Sequence, residues 1–252
     1  STIDDHNGVA LTLMDDGRIL CVFAGGHNAD QYLYARISNE PYSVEDFNTQ
    51  SIMISSGKTC YSQLLRYGDK IYLFYRVNNT HWAYRETKDG IVWSDEVILV
   101  TSPEQYYCKF TETTTDGLVR ITMYTNPTGS DSAIRMGFFD LDEKLLYNSD
   151  GKTSVGEAMI PYTSFDVLID KPANKTQRLF DVAVSDPDKP RILYTVFTNS
   201  KTADDSVYYL YEAGTSIRIC NGGHPLCGSR AYDEDIDKYL LFLDKGLSRY
   251  KK

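Results

Sequence analysis

Two of the chain's four histidines, His6 and His27, stand at the two ends of one short stretch, DDHNGVALTLMDDGRILCVFAGGHN, residues 4–28. Histidine titrates near neutral pH and can donate or accept a proton. In a second stretch of the same form, YSQLLRYGDKIYLFYR, Tyr61 and Arg76 hold the corresponding outer places. A cation beside a phenol favours its phenolate. A guanidinium fits a carboxylate with two hydrogen bonds. Together these groups suit β-elimination on a uronic acid sugar. Arginine would neutralise the carboxylate and so ease removal of the adjacent C5 proton. A tyrosine or histidine would take that proton, and a second such group would protonate the leaving glycosidic oxygen. That chemistry needs no metal or organic cofactor.

A recurring hairpin is what must bring these residues together. In the first stretch, GVALTLM and ILCVFAG flank DDGR, Asp15 to Arg18, and an Asp-Gly pair between β-prone runs is a strong hairpin signal. The pattern returns at Tyr61–Asn79, turning at Gly68-Asp69, and at Tyr106–Asn126, turning at Asp116-Gly117. It returns again at Leu179–Asn199, turning through Asp186 to Pro190, and at Arg230–Gly246, turning near Asp235. After the first four hairpins comes another β-like run: QYLYARIS, HWAYRETKDG, SAIRMGFFDL and SVYYLYEA. In the first three units a fourth short run follows, such as SIMIS or EVILV, and helical periodicity is nearly absent.

Units of about 50 residues with up to four strands are the signature of β-propeller blades. The expected fold is therefore all-β: one propeller domain over residues 1–252, built of four-stranded antiparallel blades, with five units visible. Either the N-terminal strand closes the ring or the chain is part of a larger propeller. A β-sandwich is the runner-up. The stretch TKDGIVW, Thr87–Trp93, resembles a degenerate sialidase-type Asp-box, a turn between the outer strands of a blade. In a propeller, starts of first strands and ends of second strands gather at one mouth of the channel. Those places hold His6, His27, Tyr61, Arg76, Tyr106 or Tyr107, Lys109, Asn126, Arg178, Asn199 and Arg230. Plainer roles compete: most of the 20 tyrosines belong to sheet surface or core, Arg76 has Asp69 or Glu86 as ion-pair candidates, and His81 beside Trp82 reads as structural.

A net charge of −9 argues against nucleic acid or an anionic membrane as partner, while leaving room for an acidic substrate at a locally basic site. No apolar run is long enough for a transmembrane helix, and no leader peptide is visible. Of the five cysteines, Cys21 and Cys60 fit buried free thiols. CNGGHPLC, Cys220 to Cys227, permits either a local disulfide or a structural metal site (zinc or calcium), with Cys220, His224 and Cys227 as ligands. Asn78-Asn79-Thr80 and Asn174-Lys175-Thr176 match the weak glycosylation acceptor pattern.

The first three hairpins, from about residue 4 to 151, resemble the BNR-repeat propellers that include the ulvan lyases, with weaker echoes in RLFDVAV and RAYDEDIDKYLLFLDKG. The resemblance implies a polysaccharide lyase acting on a uronate-containing glycan. His6 and His27 would be acid–base groups, Tyr61 the catalytic phenol, Arg76 the carboxylate neutraliser, and Tyr107 with Lys109 a further catalytic or subsite position. Asn126, Arg178, Asn199 and Arg230 would bind substrate. It also strengthens the metal reading of CNGGHPLC and implies an extracellular or virion-borne protein. The chain departs from these relatives at TNPT, Thr125 to Thr128, where a histidine often follows the second strand, and in length, since the familiar lyases are seven-bladed. Two other readings stand beside the lyase. One is a propeller glycosidase or phage tailspike depolymerase, with Asp4, Asp5 and Asp181 as the acids near the active mouth. The other is a carbohydrate-binding propeller without catalysis, whose tyrosines stack on sugar rings.

Overall fold

The computed structural model describes residues 8–47, 49–113, 117–126, 131, 133–182, 190–198, 206–221, 228–233 and 238–243. These residues form strands joined by turns, with a single turn of 3-10 helix at Tyr162–Ser164. No helix among them is long and apolar enough to cross a membrane. The chain divides into two compact units, Ser1–Gln105 with Gly156–Thr163, and Tyr106–Val155 with Ser164–Lys252.

The first unit holds two antiparallel meanders. β1 (Ala10–Leu13), β2 (Ile19–Ala24), β3 (Tyr32–Ile37) and β4 (Thr49–Ile54) lie in chain order in one sheet. β5 (Thr59–Tyr67), β6 (Lys70–Val77), β7 (His81–Thr87) and β8 (Val97–Thr101) form the other, with Ile160–Pro161 added parallel to β8. The β1–β2 turn is tighter than its length suggests. Gly17 N–H donates to the Met14 carbonyl and Met14 N–H to that of Arg18, with Gly17 at φ 81°. This is a three-residue loop ending in a left-handed glycine, which a β-carbon would strain. Alternation then sorts the side chains. Leu20, Val22, Leu33, Ala35, Ile37 and Met53 share one face of the first sheet and pack on Ile71, Leu73, Tyr75, Val77 and Ala83 of the second. On the opposite face Leu11, Leu13, Ile52 and Ile54 are exposed.

Two polar devices tie these sheets together. The first is the TKDGIVW turn between β7 and β8, the outer strands of its sheet, as the Asp-box resemblance implied. Asp89 Oδ1 accepts from the N–H groups of Ile91 and Val92 at 2.8 and 2.9 Å, and Thr87 Oγ1 donates to the Val92 carbonyl at 2.7 Å. Those backbone bonds hold the Asp89 carboxyl below the usual range. Gly90 sits at φ +71° against Ile37 and Leu20 of the first sheet, where an added β-carbon would meet both Cδ1 atoms at 3.1 Å. Gly90→Ala should therefore lower stability by about 1–2 kcal/mol through left-handed strain alone, as measured by urea unfolding.

The second device centres on the half-buried Glu96. Its carboxylate accepts from Ser55 Oγ (2.6 Å), Ser56 N–H (3.0 Å), Ser56 Oγ (2.5 Å) and Tyr75 Oη (2.5 Å). Arg85 Nε donates to the Tyr75 hydroxyl at 3.0 Å, while its other nitrogens reach the carbonyls of Ser94 and Ile54. Burial works against the charged carboxylate, but the donors outweigh it and Glu96 titrates below its ordinary range. Tyr75 moves the other way: burial first, then the Glu96 charge, holds its proton on.

The second unit repeats the plan. β9 (Tyr106–Glu112), β10 (Leu118–Thr125), β11 (Ile134–Asp140), β12 (Leu146–Tyr147) and β13 (Ser154–Gly156) form one sheet in order. With Ile160–Pro161 counted as β14, β15 (Asp166–Ile169) pairs with β11 through a bulge. β16 (Thr176–Val182), β17 (Arg191–Phe197), β18 (Val207–Glu212) and β19 (Thr215–Asn221) form a four-stranded meander, followed by the pair β20 (Gly228–Asp233) and β21 (Lys238–Leu243). All five sequence-read hairpins are thus paired strands. β19 is an addition, since TSIRICN was not expected as a strand. Its hairpin turns at Ala213 and Gly214, both with positive φ (46° and 86°). A type I′ turn usually takes Asn, Asp or Gly at both places, so alanine at the first hides the signal.

Candidate active site

Local backbone geometry in the first unit presents three of the expected side chains to one another. After β2 the chain makes a turn in which Ala29 N–H donates to the Gly26 carbonyl at 3.4 Å, with Asn28 third at φ 50°. Asparagine tolerates that left-handed position. Asn28 N–H then donates to the Thr59 carbonyl, and Thr59 N–H to that of Asp30. The loop carrying His27 is thereby stitched to the start of β5.

Tyr61 reaches the same place through a β-bulge. Cys60 pairs with Arg76 and Gln63 with Phe74, so Tyr61 and Ser62 together oppose Tyr75. In a regular strand Tyr61 would face away from Cys60 and Arg76, because successive side chains alternate. The bulge and a left-handed Tyr61 (φ 57°) turn the ring back. Bulges re-aim side chains in this way, and a left-handed aromatic residue is a strained outlier.

The outcome is a compact cluster. The Arg76 guanidinium carbon lies 4.6 Å from the centre of the Tyr61 ring, and the His27 and Tyr61 rings meet edge-on at 5.8 Å. Arg76 Nη2 is 3.3 Å from His27 Nε2 and donates to Asn79 Oδ1 at 2.8 Å. A guanidinium can only donate, so any hydrogen bond at this contact has Nε2 as its acceptor. Arg76 is fully buried on β6. The acids considered as its partners are engaged by lysines instead, Asp69 by Lys88 and Glu86 by Lys70. His81 contacts its neighbour Thr80 through Nδ1 at 2.9 Å.

In the second unit, Tyr106 is buried and Tyr107 is half-buried. Tyr107 stacks on its cross-strand partner Tyr124 at 5.1 Å, and the Arg178 guanidinium stands 5.8 Å from the Tyr107 ring centre. Lys109, two residues along β9 on the same face, is exposed, and Asn126 is half-buried just past β10. Tyr124 was absent from the sequence reading, although its place directly across from Tyr107 follows from the hairpin register. His6, Asn199, His224 and Cys227 lie outside the described residues, as do the Arg230 side chain and the acids Asp4 and Asp5. Cys220 is half-buried at the end of β19, and Cys21 and Cys60 are buried thiols. Among the described residues no three metal-ligating side chains cluster.

Asn28, Asn79 and Cys60 are the members of the first cluster that sequence reasoning missed. Asn78-Asn79-Thr80 drew notice only as a glycosylation pattern. The available signal was the pair of asparagines at the ends of β2 and β6, where a left-handed residue ends a strand.

Comparisons with known proteins follow the same lines. The fold is similar to an ulvan lyase of polysaccharide lyase family PL25, at 12% identity and a TM-score of 0.68, over 91% of this chain and 61% of that one. The chain thus spans under two thirds of that protein's length. It is also similar to the polysaccharide lyase Uly1 (12% identity, TM-score 0.50, 94% and 74% coverage). An endo-arabinase from Bacteroides thetaiotaomicron is comparable (11% identity, TM-score 0.51, 94% and 88% coverage). No curated protein sequence matches. A family model for BNR repeat-containing family members matches residues 1–218, and the chain belongs to that family.

Proposed function

We propose that the protein is a polysaccharide lyase that cleaves a uronic-acid-containing polysaccharide by β-elimination. The observation that carries this reading is the contact of Arg76 with both Tyr61 and His27, a cation set against two proton-transfer groups. The guanidinium would pair with the uronate carboxylate and draw charge from C5 as its proton leaves. Tyr61 and His27 would be the proton-transfer pair, with His6 a further acid–base candidate: one group removes the C5 proton, and the C4–O bond breaks as the C4–C5 double bond forms. A second group protonates the departing glycosidic oxygen. Charge that develops on the phenol oxygen or the carboxylate is stabilised by a fixed, buried cation at little reorganisation cost.

Two likenesses support the reading. Both lyases named above share the fold, and one structure of the PL25 enzyme holds a -[GlcA(1-4)Rha3S]- fragment, which contains a glucuronate. In the second unit, taken by itself, Tyr107, Lys109, Asn126 and Arg178, with Asn199 and Arg230, would be carbohydrate-binding groups, the tyrosine offering a face for a sugar ring. The scheme assigns no chemistry to CNGGHPLC, which would be a structural metal site. A polysaccharide substrate fits an extracellular or virion-borne enzyme.

The endo-arabinase likeness favours hydrolysis as the second reading, and this needs a suitably separated carboxyl pair. Digestion of a panel of acidic polysaccharides, followed by ultraviolet absorbance and product mass, separates the two. A lyase yields chains ending in an unsaturated uronate, lighter by one water than hydrolytic products. Water-added products without the chromophore would replace the lyase by a glycosidase, and binding without cleavage would leave a lectin-like protein.

A further inference from the structure

We infer that Asn79 is a positioning residue that orients the Arg76 guanidinium without diminishing its charge. This rests on the reading of Arg76 as the uronate partner. The structural basis is a short polar relay. Asn79 Oδ1 accepts two hydrogen bonds, from Arg76 Nη2 and from Asn28 Nδ2, both at 2.8 Å. Asn28 Oδ1 in turn accepts from the buried Cys60 thiol at 3.2 Å. A carbonyl oxygen has two lone pairs, and here both are used. The thiol fixes which way the Asn28 amide faces, and Asn28 then helps fix the Asn79 oxygen against the guanidinium.

The chemical identity of the group at position 79 matters for two reasons. First, a fully buried guanidinium is screened less than an exposed one, so a charge placed against it acts more strongly than it would at the surface. An aspartate at 79 would accept the same two hydrogen bonds but would turn the cation into half of an ion pair. The amide supplies the acceptor and leaves the cation's field directed at an incoming carboxylate. Second, Asn79 and Asn28 both have positive φ, 67° and 50°. Glycine, asparagine and aspartate all tolerate that conformation. The backbone alone would therefore accept any of the three, and substitutions among them separate a turn requirement from a role of the amide.

Asn79→Gly and Asn79→Asp form the test, each compared with the wild type on two substrates: a uronate polysaccharide and the same polymer with its carboxyls methyl-esterified. Asn79→Gly removes the anchor, and kcat/KM should fall about tenfold on the free acid, the worth of one lost hydrogen bond to a charged group. Asn79→Asp should fall at least as far on the free acid but much less on the ester, whose neutral carbonyl gains little from the cation. A turn-only residue would leave both variants like wild type, and a general structural defect would lower both substrates equally. Either outcome overturns the inference. Calorimetric binding of the free-acid polymer is measured alongside. If the wild type binds but does not cleave, the lyase reading fails, while weaker binding by Asn79→Asp still upholds the positioning role and unchanged binding overturns it.

Discussion

Tyr61→Phe is expected to reduce formation of unsaturated product by about 100- to 10,000-fold, the usual worth of a general acid or base, with little change in unfolding. The substitution deletes one hydroxyl and keeps the ring that faces the Arg76 guanidinium and the His27 imidazole. Any stability effect should stay within about 1 kcal/mol, the net value of a single hydrogen bond. The left-handed backbone offers an internal control. At φ 57° a β-carbon is strained whatever the side chain. Tyr61→Gly should therefore be more stable than Tyr61→Ala by about 1 kcal/mol, although both lack activity. Kinetics on a uronate polymer and chemical denaturation together check this. A Phe variant with wild-type rates would remove Tyr61 from the chemistry.

The second large effect concerns stability. Glu96→Ala should cost about 3 kcal/mol, because it removes the acceptor of Ser55, Ser56 and Tyr75 and leaves the buried Tyr75 hydroxyl with its orientation lost. The pH dependence has a definite sign. Glu96 titrates below its ordinary value in the folded protein, so the unfolded chain takes up its proton first as acid is added. Its contribution is complete above the ordinary carboxylate range and is lost as the pH drops through that range toward the lower folded value. Glu96→Gln should therefore flatten this part of the acid limb in urea unfolding at several pH values. An acid limb identical to that of the wild type would mean that other carboxylates carry it.

The hairpins themselves were readable in the residue order because turn chemistry and strand propensity are local. Gly68-Asp69 between β5 and β6, or the Asp-box turn that ends β7, act within a few residues of themselves. β19 escaped because an alanine occupies a left-handed turn position that sequence statistics assign to other residues. The candidate site divides in the same way. Histidine, tyrosine and arginine at hairpin ends could be recognised by type and spacing, and residues 27, 61 and 76 do come together. Tyr124 follows from the hairpin register but is one of many tyrosines, and the asparagines at the strand ends mark left-handed turns without saying that they meet each other and Cys60.

By itself, the order of residues determined an all-β chain of repeated antiparallel hairpins and the chemical types at their ends, because backbone conformation and side-chain alternation depend on near neighbours. Only the tertiary structure decided that Tyr61 faces Arg76 at all. An unbroken strand would have sent that ring to the other side of the sheet. The bulge that reverses it depends on the register against β6 and on the loop from β2 packed at its start, contacts between residues far apart in the chain.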